Sequence, residues 1–305
     1  MKDLKYYINK ALKKKFALGA FNFSNLESLQ AITFACKECN SPAIIAVSES
    51  ALKYMGEKEV IALSQCAKSK HSPLFLHLDH GKSFEICKRA VDLGFDSVMI
   101  DGSSLSFSEN IQLTKKVVNY AHKKGVLVEG ELGQLKGVED EVTSDSHFYT
   151  DSNQAKNFVE ETGVDMLAIA IGTSHGAYKH NGSITLRIDI LEKIEKLLPN
   201  FPLVLHGAST INKHLINKIN NNGGNITNAQ GIPESLLKSC VKEHNIVKIN
   251  TDTDLRLAMT AQVRSLLYND EKVFDPRSYL SKGRDCMQEE VYYKINNILL
   301  SNDQK

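Results

Sequence analysis

Short apolar segments alternate with longer amphipathic segments along the whole chain, and this alternation restricts the possible folds more than any other feature. The gaps between the apolar segments are long enough for the helical crossovers that parallel strands require. Eight strands are predicted, at residues 17–21, 43–47, 74–78, 97–100, 126–129, 166–170, 203–205 and 247–249. Amphipathic patterns predict helices such as 26–39, 57–69, 84–93, 106–124, 153–162 and 188–198. We therefore predict an α/β fold, most economically a (β/α)8 TIM barrel.

An open, doubly wound sheet is the alternative architecture. The first strand is not followed by G-x-G-x-x-G, and the phosphate-binding pattern G-x-x-x-x-G-K-[ST] is missing from the sequence. A length of 305 residues suits one α/β barrel, so we predict a single domain over residues 1–305. Two polar segments rich in turn residues are predicted as a loop at 133–152 and an insertion at 220–233. Residues 276–300 are predicted as a helical extension packed outside the barrel.

The composition excludes several classes of protein. With 42% hydrophobic and 24% charged residues, the chain has the balance of a soluble globular protein. Lys plus Arg (37) nearly equal Asp plus Glu (36), and the charges form no long block, so we expect no binding to nucleic acid or to a membrane. No apolar run approaches the length of a membrane span, and the N-terminus is charged rather than typical of a signal peptide. The six cysteines lack disulfide spacing, so we expect a cytoplasmic protein.

Three histidines follow or end predicted strands, and each is followed by glycine. They are His80, His175 and His206, in predicted strands or loops three, six and seven. The carboxyl ends of barrel strands meet at one mouth, and a catalytic zinc takes three protein ligands and keeps a fourth position open. The three imidazoles are therefore candidate zinc ligands. The alternative is that each is an ordinary hydrogen-bonded side chain near a strand end, which is our interpretation of His77.

Four carboxylates gather at the same predicted strand ends. Asp79 lies beside His80, and Asp101 ends the fourth strand. Glu129 and Glu131 lie at the end of the fifth strand. Carboxylates around a metal either orient its imidazole ligands or transfer protons. Ordinary salt bridges at the barrel mouth are the alternative.

Small residues near the ends of strands six, seven and eight favour binding of an anion. They are Gly176, the segment 207–209 and the segment 250–253, in which backbone N–H groups and hydroxyls are accessible. The ends of strands seven and eight are the usual phosphate position in this fold.

These residues together resemble the class II fructose-bisphosphate aldolases over residues 16–290. The matching motifs, in order, are Asn22, Ser48-Glu49, Leu78-Asp79-His80-Gly81, Asp101-Gly102-Ser103, Glu129-Gly130-Glu131-Leu132-Gly133, Gly172-Thr173-Ser174-His175-Gly176, Leu205-His206-Gly207-Ala208-Ser209, Lys248-Ile249-Asn250-Thr251-Asp252-Thr253-Asp254-Leu255-Arg256 and Asp275-Pro276-Arg277. The ordered set is specific for this family and its sister tagatose-bisphosphate aldolases.

The resemblance implies a role for each catalytic residue. His80, His175 and His206 would bind one zinc ion per subunit, with Asp101 and Glu131 beside it as groups that orient or alternately approach the ion. Asp79 would be the general acid/base. Glu139, in a loop that resembles the family's mobile active-site loop, would take the proton from dihydroxyacetone phosphate. The family usually has Gly-Gly-(Gln or Glu)-Glu here, so a shift of one or two residues and a solvated acidic loop are the alternatives.

The resemblance also implies substrate and ion contacts. Asn250 would contact the enediolate, Asn22 and Ser48 would contact substrate, and one phosphate would be bound by Gly176, Gly207, Ser209, Asp252 and Thr253. The second phosphate would be bound by Lys179, Arg256 and Arg277, with Asp275 and Arg277 reaching the site of a neighbouring subunit in a homodimer or homotetramer. Relatives also bind a monovalent cation, Na+ or K+, near the residues matching Ser174, Gly176 and Gly207.

The implied reaction is reversible cleavage of fructose 1,6-bisphosphate to dihydroxyacetone phosphate and glyceraldehyde 3-phosphate, in glycolysis and gluconeogenesis. Cleavage of tagatose bisphosphate is the nearest alternative. A metal-dependent sugar-phosphate isomerase or epimerase on the same barrel is a third, and a non-catalytic binding protein would be expected to lack Asp79 or one of the histidines.

Overall fold

The computed structural model describes residues 2–71, 73–134, 136–139, 142–144, 149–175 and 185–305. Eight parallel strands form a closed barrel in the spatial order β1-β11-β10-β8-β5-β4-β3-β2. The barrel strands are β1 (Leu18–Asn22), β2 (Ala43–Ser48), β3 (Leu74–Gly81), β4 (Ser97–Ile100), β5 (Leu127–Leu132), β8 (Met166–Ile169), β10 (Leu203–Leu205) and β11 (Ile246–Thr251). The predicted barrel and all eight of its predicted strands are confirmed.

Helices surround the barrel. They are α1 (Leu4–Lys14), α2 (Leu26–Glu38), α3 (Glu49–Met55), α4 (Glu57–Lys70), α5 (Phe84–Leu93), α6 (Phe107–Ala121), α7 (Ser152–Thr162), α8 (Ile188–Leu197), α9 (Lys213–Asn221), α10 (Glu234–Glu243), α11 (Thr253–Asn269) and α12 (Pro276–Lys294). Helix α12 continues into one π-helical turn, Ile295–Leu299, and packs against α2 and α11, which confirms the predicted C-terminal extension.

The barrel interior changes from apolar to polar along the strands. On β3, Leu74, Leu76 and Leu78 face the surrounding helices, whereas Phe75, His77 and Asp79 alternate with them and face the interior. Phe75 packs with Tyr7 of α1, which covers the amino end of the barrel, with ring centroids 5.7 Å apart. Polar side chains are therefore concentrated at the middle and the carboxyl end of the barrel.

Within the segment 133–152, predicted as a polar loop, the described residues include two short strands. Strands β6 (Lys136–Glu139) and β7 (Val142–Ser144) pair antiparallel, and β6 also pairs with β9 (Ser174–His175). Strands of four and three residues are too short to produce a recognisable alternating pattern. The sheet places Glu139 and His175 on adjoining backbone segments.

The insertion predicted at 220–233 lies between α9 and α10 and has little regular structure of its own. Its last residues contact the loop after β10. The Ile232 N–H donates to the Ser209 carbonyl at 2.9 Å, and a Cβ on Gly231 would meet the Thr210 backbone at 2.1 Å. The end of this segment therefore packs behind a predicted phosphate-binding loop.

Each helix within the described ranges is too short or too polar to cross a lipid bilayer.

Candidate active site

An irregularity at the end of β3 brings two neighbouring side chains to the barrel mouth. Consecutive residues of a regular strand face opposite sides. His80, however, has a φ of +50°, and the pairing of β3 with β4 shifts register between Leu78 and Gly81. A left-handed conformation is uncommon for a residue other than glycine, and away from turns and helix ends it often marks a functional site. As a result Asp79 and His80 each contribute a ligand atom to one group with His206.

Two carboxylates lie on one side of the His80 ring. Its Nδ1 is 3.0 Å from Asp101 Oδ2 and 3.6 Å from Glu131 Oε2. Burial lowers the pKa of His80, but the Asp101 hydrogen bond and the charges of Asp79 and Glu131 raise it to about 10. Because Asp101 occupies Nδ1, a metal ion at the Asp79 side would be bound by Nε2.

Asp79, Asp101 and Glu131 concentrate negative charge around the His80 ring. Burial and the charge of Asp101 raise the pKa of Glu131 well above its usual range. Glu131 Oε2 has no hydrogen-bond donor among the described residues. Lys82 Nζ lies 2.5 Å from Asp101 Oδ2, and its positive charge offsets part of the negative charge of these carboxylates.

His206, at the end of β10, lies against His80, with ring centroids 4.6 Å apart. Its Nε2 is 2.7 Å from Glu129 Oε1, and both side chains are buried. A metal at His206 would therefore be bound by Nδ1. The two histidines thus use opposite ring nitrogens for their carboxylate partners.

His175 follows Ser174 in β9, and the side chain of His175 is outside the described part of the structure. Gly207 has a φ of +59°, and a Cβ there would meet the Ser174 backbone at 2.6 Å. The loop after β8 and the loop after β10 are thus in direct contact. Gly176 and Lys179 lie outside the described residues, as do the side chain of Glu139 and its contacts.

The described donor atoms fit a divalent metal ion. Ligand atoms of Asp79, His80 and His206 lie within 4.8 Å of one another, and those of His80, Asp101 and Glu131 form a second such group. All of these side chains are buried, and imidazole with carboxylate is a donor set typical of zinc and related transition metals.

Two amides hold the Asp79 carboxylate. Asn22 Nδ2 donates to Oδ2 and Asn250 Nδ2 donates to Oδ1, each at 2.8 Å. Both asparagines end barrel strands that are neighbours in the sheet, β1 and β11. The family resemblance implies that both contact the substrate. The structure adds that they fix the orientation of Asp79, and each retains a buried amide oxygen without a hydrogen-bond donor among the described residues.

Other predicted substrate residues border this group. Asn22, Ser48, Asp252 and Arg256 line a cavity of about 250 Å³. Ser48, the last residue of β2, is the register partner of Asp79 and caps α3. Arg256 binds Asp252 through two hydrogen bonds, while Thr253 begins α11. Ser209 is buried in the loop after β10.

Asp275 and Arg277 lie apart from this cavity, at the start of α12. Arg277 Nη2 is 2.7 Å from Asp275 Oδ2, and the Arg277 side chain is 89% exposed. Within the described chain this pair is on the protein surface rather than in the cavity.

The sequence predicts for Glu129 either a role beside the metal or an ordinary salt bridge, and it predicts no role for Lys248. In the structure Lys248 Nζ is 2.7 Å from Glu129 Oε2 and 3.3 Å from His77 Nε2, and all three side chains are completely buried. Burial raises the pKa of Glu129, but Lys248 and the His206 hydrogen bond lower it below the usual range. The sequence signal for this pair was the position of Lys248 inside an apolar strand segment. A lysine that is buried there requires a partner.

Comparison with known proteins agrees with this geometry. The family model for class-II fructose-bisphosphate aldolase matches residues 2–304. The chain belongs to this family. A fructose-bisphosphate aldolase of Thermus caldophilus is 47% identical over 290 residues, which cover 93% of each chain. One from Treponema pallidum is 44% identical over 310 residues, covering 95% of this chain and 93% of the relative.

A solved structure shares both the fold and the length of this class-II aldolase family member. It is the crystal structure of the YdjI aldolase from Escherichia coli K12, with a TM-score of 0.80 and 30% identity over 100% of this chain and 99% of that chain. Membership of the class-II family implies a bound metal ion, which the described donor groups fit.

The contact between Gly207 and Ser174 gives a prediction for this class-II aldolase site. Gly207→Ala should destabilise the fold by about 1–2 kcal/mol through its left-handed backbone alone. It should also weaken metal binding, because the added Cβ would displace the Ser174 backbone and with it the adjoining His175, a predicted metal ligand. Gly125→Ala is the matched control, since Gly125 has a φ of +71° and nothing within 4 Å of an added Cβ. Thermal unfolding and metal titration of both variants measure the two effects. Equal metal affinity of the variants would contradict the prediction.

Proposed function

We propose that this chain is a zinc-dependent aldolase that reversibly cleaves fructose 1,6-bisphosphate to dihydroxyacetone phosphate and glyceraldehyde 3-phosphate. The observation that carries this proposal is the buried group of Asp79, His80 and His206 at the barrel mouth, with Asn22 and Asn250 on the carboxylate. In the proposed zinc site His80, His175 and His206 hold the ion, and Asp101 and Glu131 orient these ligands or alternately approach the ion. The bound ion supplies a Lewis acid that polarises the ketone of the substrate.

Asp79 is proposed to act on the hydroxyl of the carbon atom that becomes the aldehyde. In cleavage the carboxylate accepts the proton from the C4 hydroxyl while the bond between C3 and C4 breaks and its electron pair remains on the C3 fragment. In condensation Asp79 returns that proton to the aldehyde oxygen. Two amide donors fix the carboxylate in one orientation, which supports this role because a general base must be positioned before it can be effective.

The remaining roles are proposals that follow from the family. Glu139 exchanges the proton at C3 of the dihydroxyacetone phosphate fragment. Asn250 contacts the hydroxyls or enediolate, and Asn22 and Ser48 contact the substrate. The C1 phosphate is bound by Gly176, Gly207, Ser209, Asp252 and Thr253, and the other phosphate by Lys179, Arg256 and Arg277. Arginine suits this task because its guanidinium forms paired hydrogen bonds to phosphate oxygens.

We also propose how the protein is organised. Residues 1–305 act as one barrel domain in the cytoplasm, with 133–152 as a mobile active-site loop. The chain forms a homodimer or homotetramer in which Asp275 and Arg277 serve a neighbouring site, a role that the exposure of Arg277 supports. A monovalent cation, Na+ or K+, binds near Ser174, Gly176 and Gly207.

Product analysis tests the reaction. With fructose 1,6-bisphosphate the purified protein should release triose phosphates, EDTA should abolish the activity, and Zn2+ should restore it. An assay coupled to triose-phosphate consumption measures all three effects. Faster cleavage of tagatose bisphosphate would overturn the choice of sugar. An intact six-carbon product would indicate an isomerase or epimerase, and activity indifferent to chelator would contradict metal catalysis.

Replacing the proposed general acid/base tests the role of Asp79. Asp79→Asn keeps the shape of the side chain and should lower kcat by about 10²- to 10⁴-fold, the usual range for loss of this kind of catalysis. The zinc content should stay near one ion per subunit. Asp165→Asn is the control, because Asp165 accepts a hydrogen bond from His122 at 2.8 Å at the start of β8, the opposite end of the barrel. Loss of zinc in proportion to activity would show that Asp79 is a structural residue.

A further inference from the structure

We propose that Glu129 and Lys248 are positioning residues of the metal site, and that together they fix the ring of His206 with Nδ1 directed at the metal. This inference rests on the proposed function only in taking His206 as a metal ligand. It concerns a buried chain of side chains that links the barrel strands β3, β4, β5 and β11 to His206, directly after β10.

The chain of contacts is continuous across the barrel interior. Ser97 Oγ lies 2.8 Å from His77 Nδ1, and His77 Nε2 lies 3.3 Å from Lys248 Nζ. Lys248 Nζ donates to Glu129 Oε2 at 2.7 Å, and Glu129 Oε1 lies 2.7 Å from His206 Nε2. All five side chains are almost completely buried.

The direction of each hydrogen bond follows from the chemistry of these groups. An ammonium group only donates, so His77 Nε2 accepts from Lys248 and His77 Nδ1 donates to Ser97. An ionised carboxylate only accepts, so His206 must carry its proton on Nε2. A neutral imidazole with a proton on Nε2 presents the lone pair of Nδ1 to the metal. Lys248 occupies the second oxygen of Glu129, and the carboxylate therefore cannot rotate away from His206.

A requirement for stability alone does not explain this pair. The interior positions beside the pair in the strand register are filled by apolar side chains, Met99 next to Glu129 and Val204 next to Lys248. Replacement of a buried ion pair by apolar groups of similar size is often neutral or stabilising, because both charges lose their hydration on burial. The contact of the pair with His206 gives it a function that an apolar pair would lack.

The double variant Glu129→Gln with Lys248→Met tests the proposal. It removes both charges together, and no unpaired buried ion remains to unfold the barrel. The glutamine keeps the shape of Glu129, but its amide can donate to or accept from Nε2, so the ring of His206 is no longer held in one tautomer. We expect the affinity for Zn2+, measured by competition with a chelator, to fall by about 10- to 100-fold. The melting temperature of the metal-free variant should remain at or above that of the parent.

Glu195→Gln is the matched control, because Glu195 also accepts a hydrogen bond from a histidine, His244 Nδ1, at 2.8 Å. That pair lies at the amino end of β11 and should leave the zinc affinity unchanged. Single variants Glu129→Gln and Lys248→Met complete a thermodynamic cycle, in which the loss of zinc affinity should not be additive.

Each outcome decides the inference. Zinc binding by the double variant with parental affinity would show that the pair is only structural. Weaker binding that accompanies a matching loss of metal-free stability would show the same. Because affinity rather than turnover is measured, a parent protein that binds zinc but cleaves no sugar would refute the proposed function and leave this test intact.

Discussion

The arrangement of the candidate site depends on the pairing of charges that are buried at the carboxyl end of the barrel. An ion removed from water is stable in a protein interior only when partners replace its hydration. Glu129 has Lys248 and His206 as partners, and Asp101 has His80 and Lys82. Glu131 Oε2 has no hydrogen-bond donor among the described residues, and burial together with the charge of Asp101 raises the pKa of Glu131. A cation between these carboxylates and imidazoles would supply the missing charge, since a bound metal is often the largest local charge in a site.

The backbone of β3 converts a regular strand into part of this site. If β3 kept its alternation, His80 would face the helices while Asp79 faced the barrel interior. The left-handed conformation of His80 removes this conflict and is followed by Gly81, where a Cβ would meet Cys87 Sγ at 2.8 Å and the Met99 carbonyl oxygen at 2.9 Å. Strand β4 therefore approaches β3 closely at this position. The proposed acid/base and a proposed metal ligand thus come from adjacent residues.

Much of this arrangement could be predicted from the sequence, because barrel strands are buried on both faces and end at a common mouth. Apolar segments locate the strands, so His80, Asp101, Glu131, His206 and Asn250 could be placed at one end of the barrel without coordinates. The carboxyl-end extension of β5 to Leu132 was not predicted, because Glu129 and Glu131 interrupt its apolar pattern. Glu129 is tolerated inside the barrel because Lys248 of β11 and His206 after β10 bind its two carboxylate oxygens.

Other features could not be predicted because they depend on contacts between distant segments. The partnership of Lys248 with Glu129 joins residues 119 positions apart in the sequence. The sheet of β6, β7 and β9 depends on backbone pairing rather than on an apolar pattern. The choice of Nδ1 or Nε2 at each histidine is likewise set by its carboxylate partner, which a sequence does not identify.

Anomalous X-ray diffraction at the zinc absorption edge, from crystals of the zinc-loaded protein, would locate the ion and identify its ligands. We expect one ion at about 2.0–2.1 Å from a ring nitrogen of each of three histidines. These nitrogens are Nε2 of His80, Nδ1 of His206 and one nitrogen of His175. An ion bound without one of these rings, with that ring beyond bonding distance in both the free and the substrate-bound protein, would contradict the account.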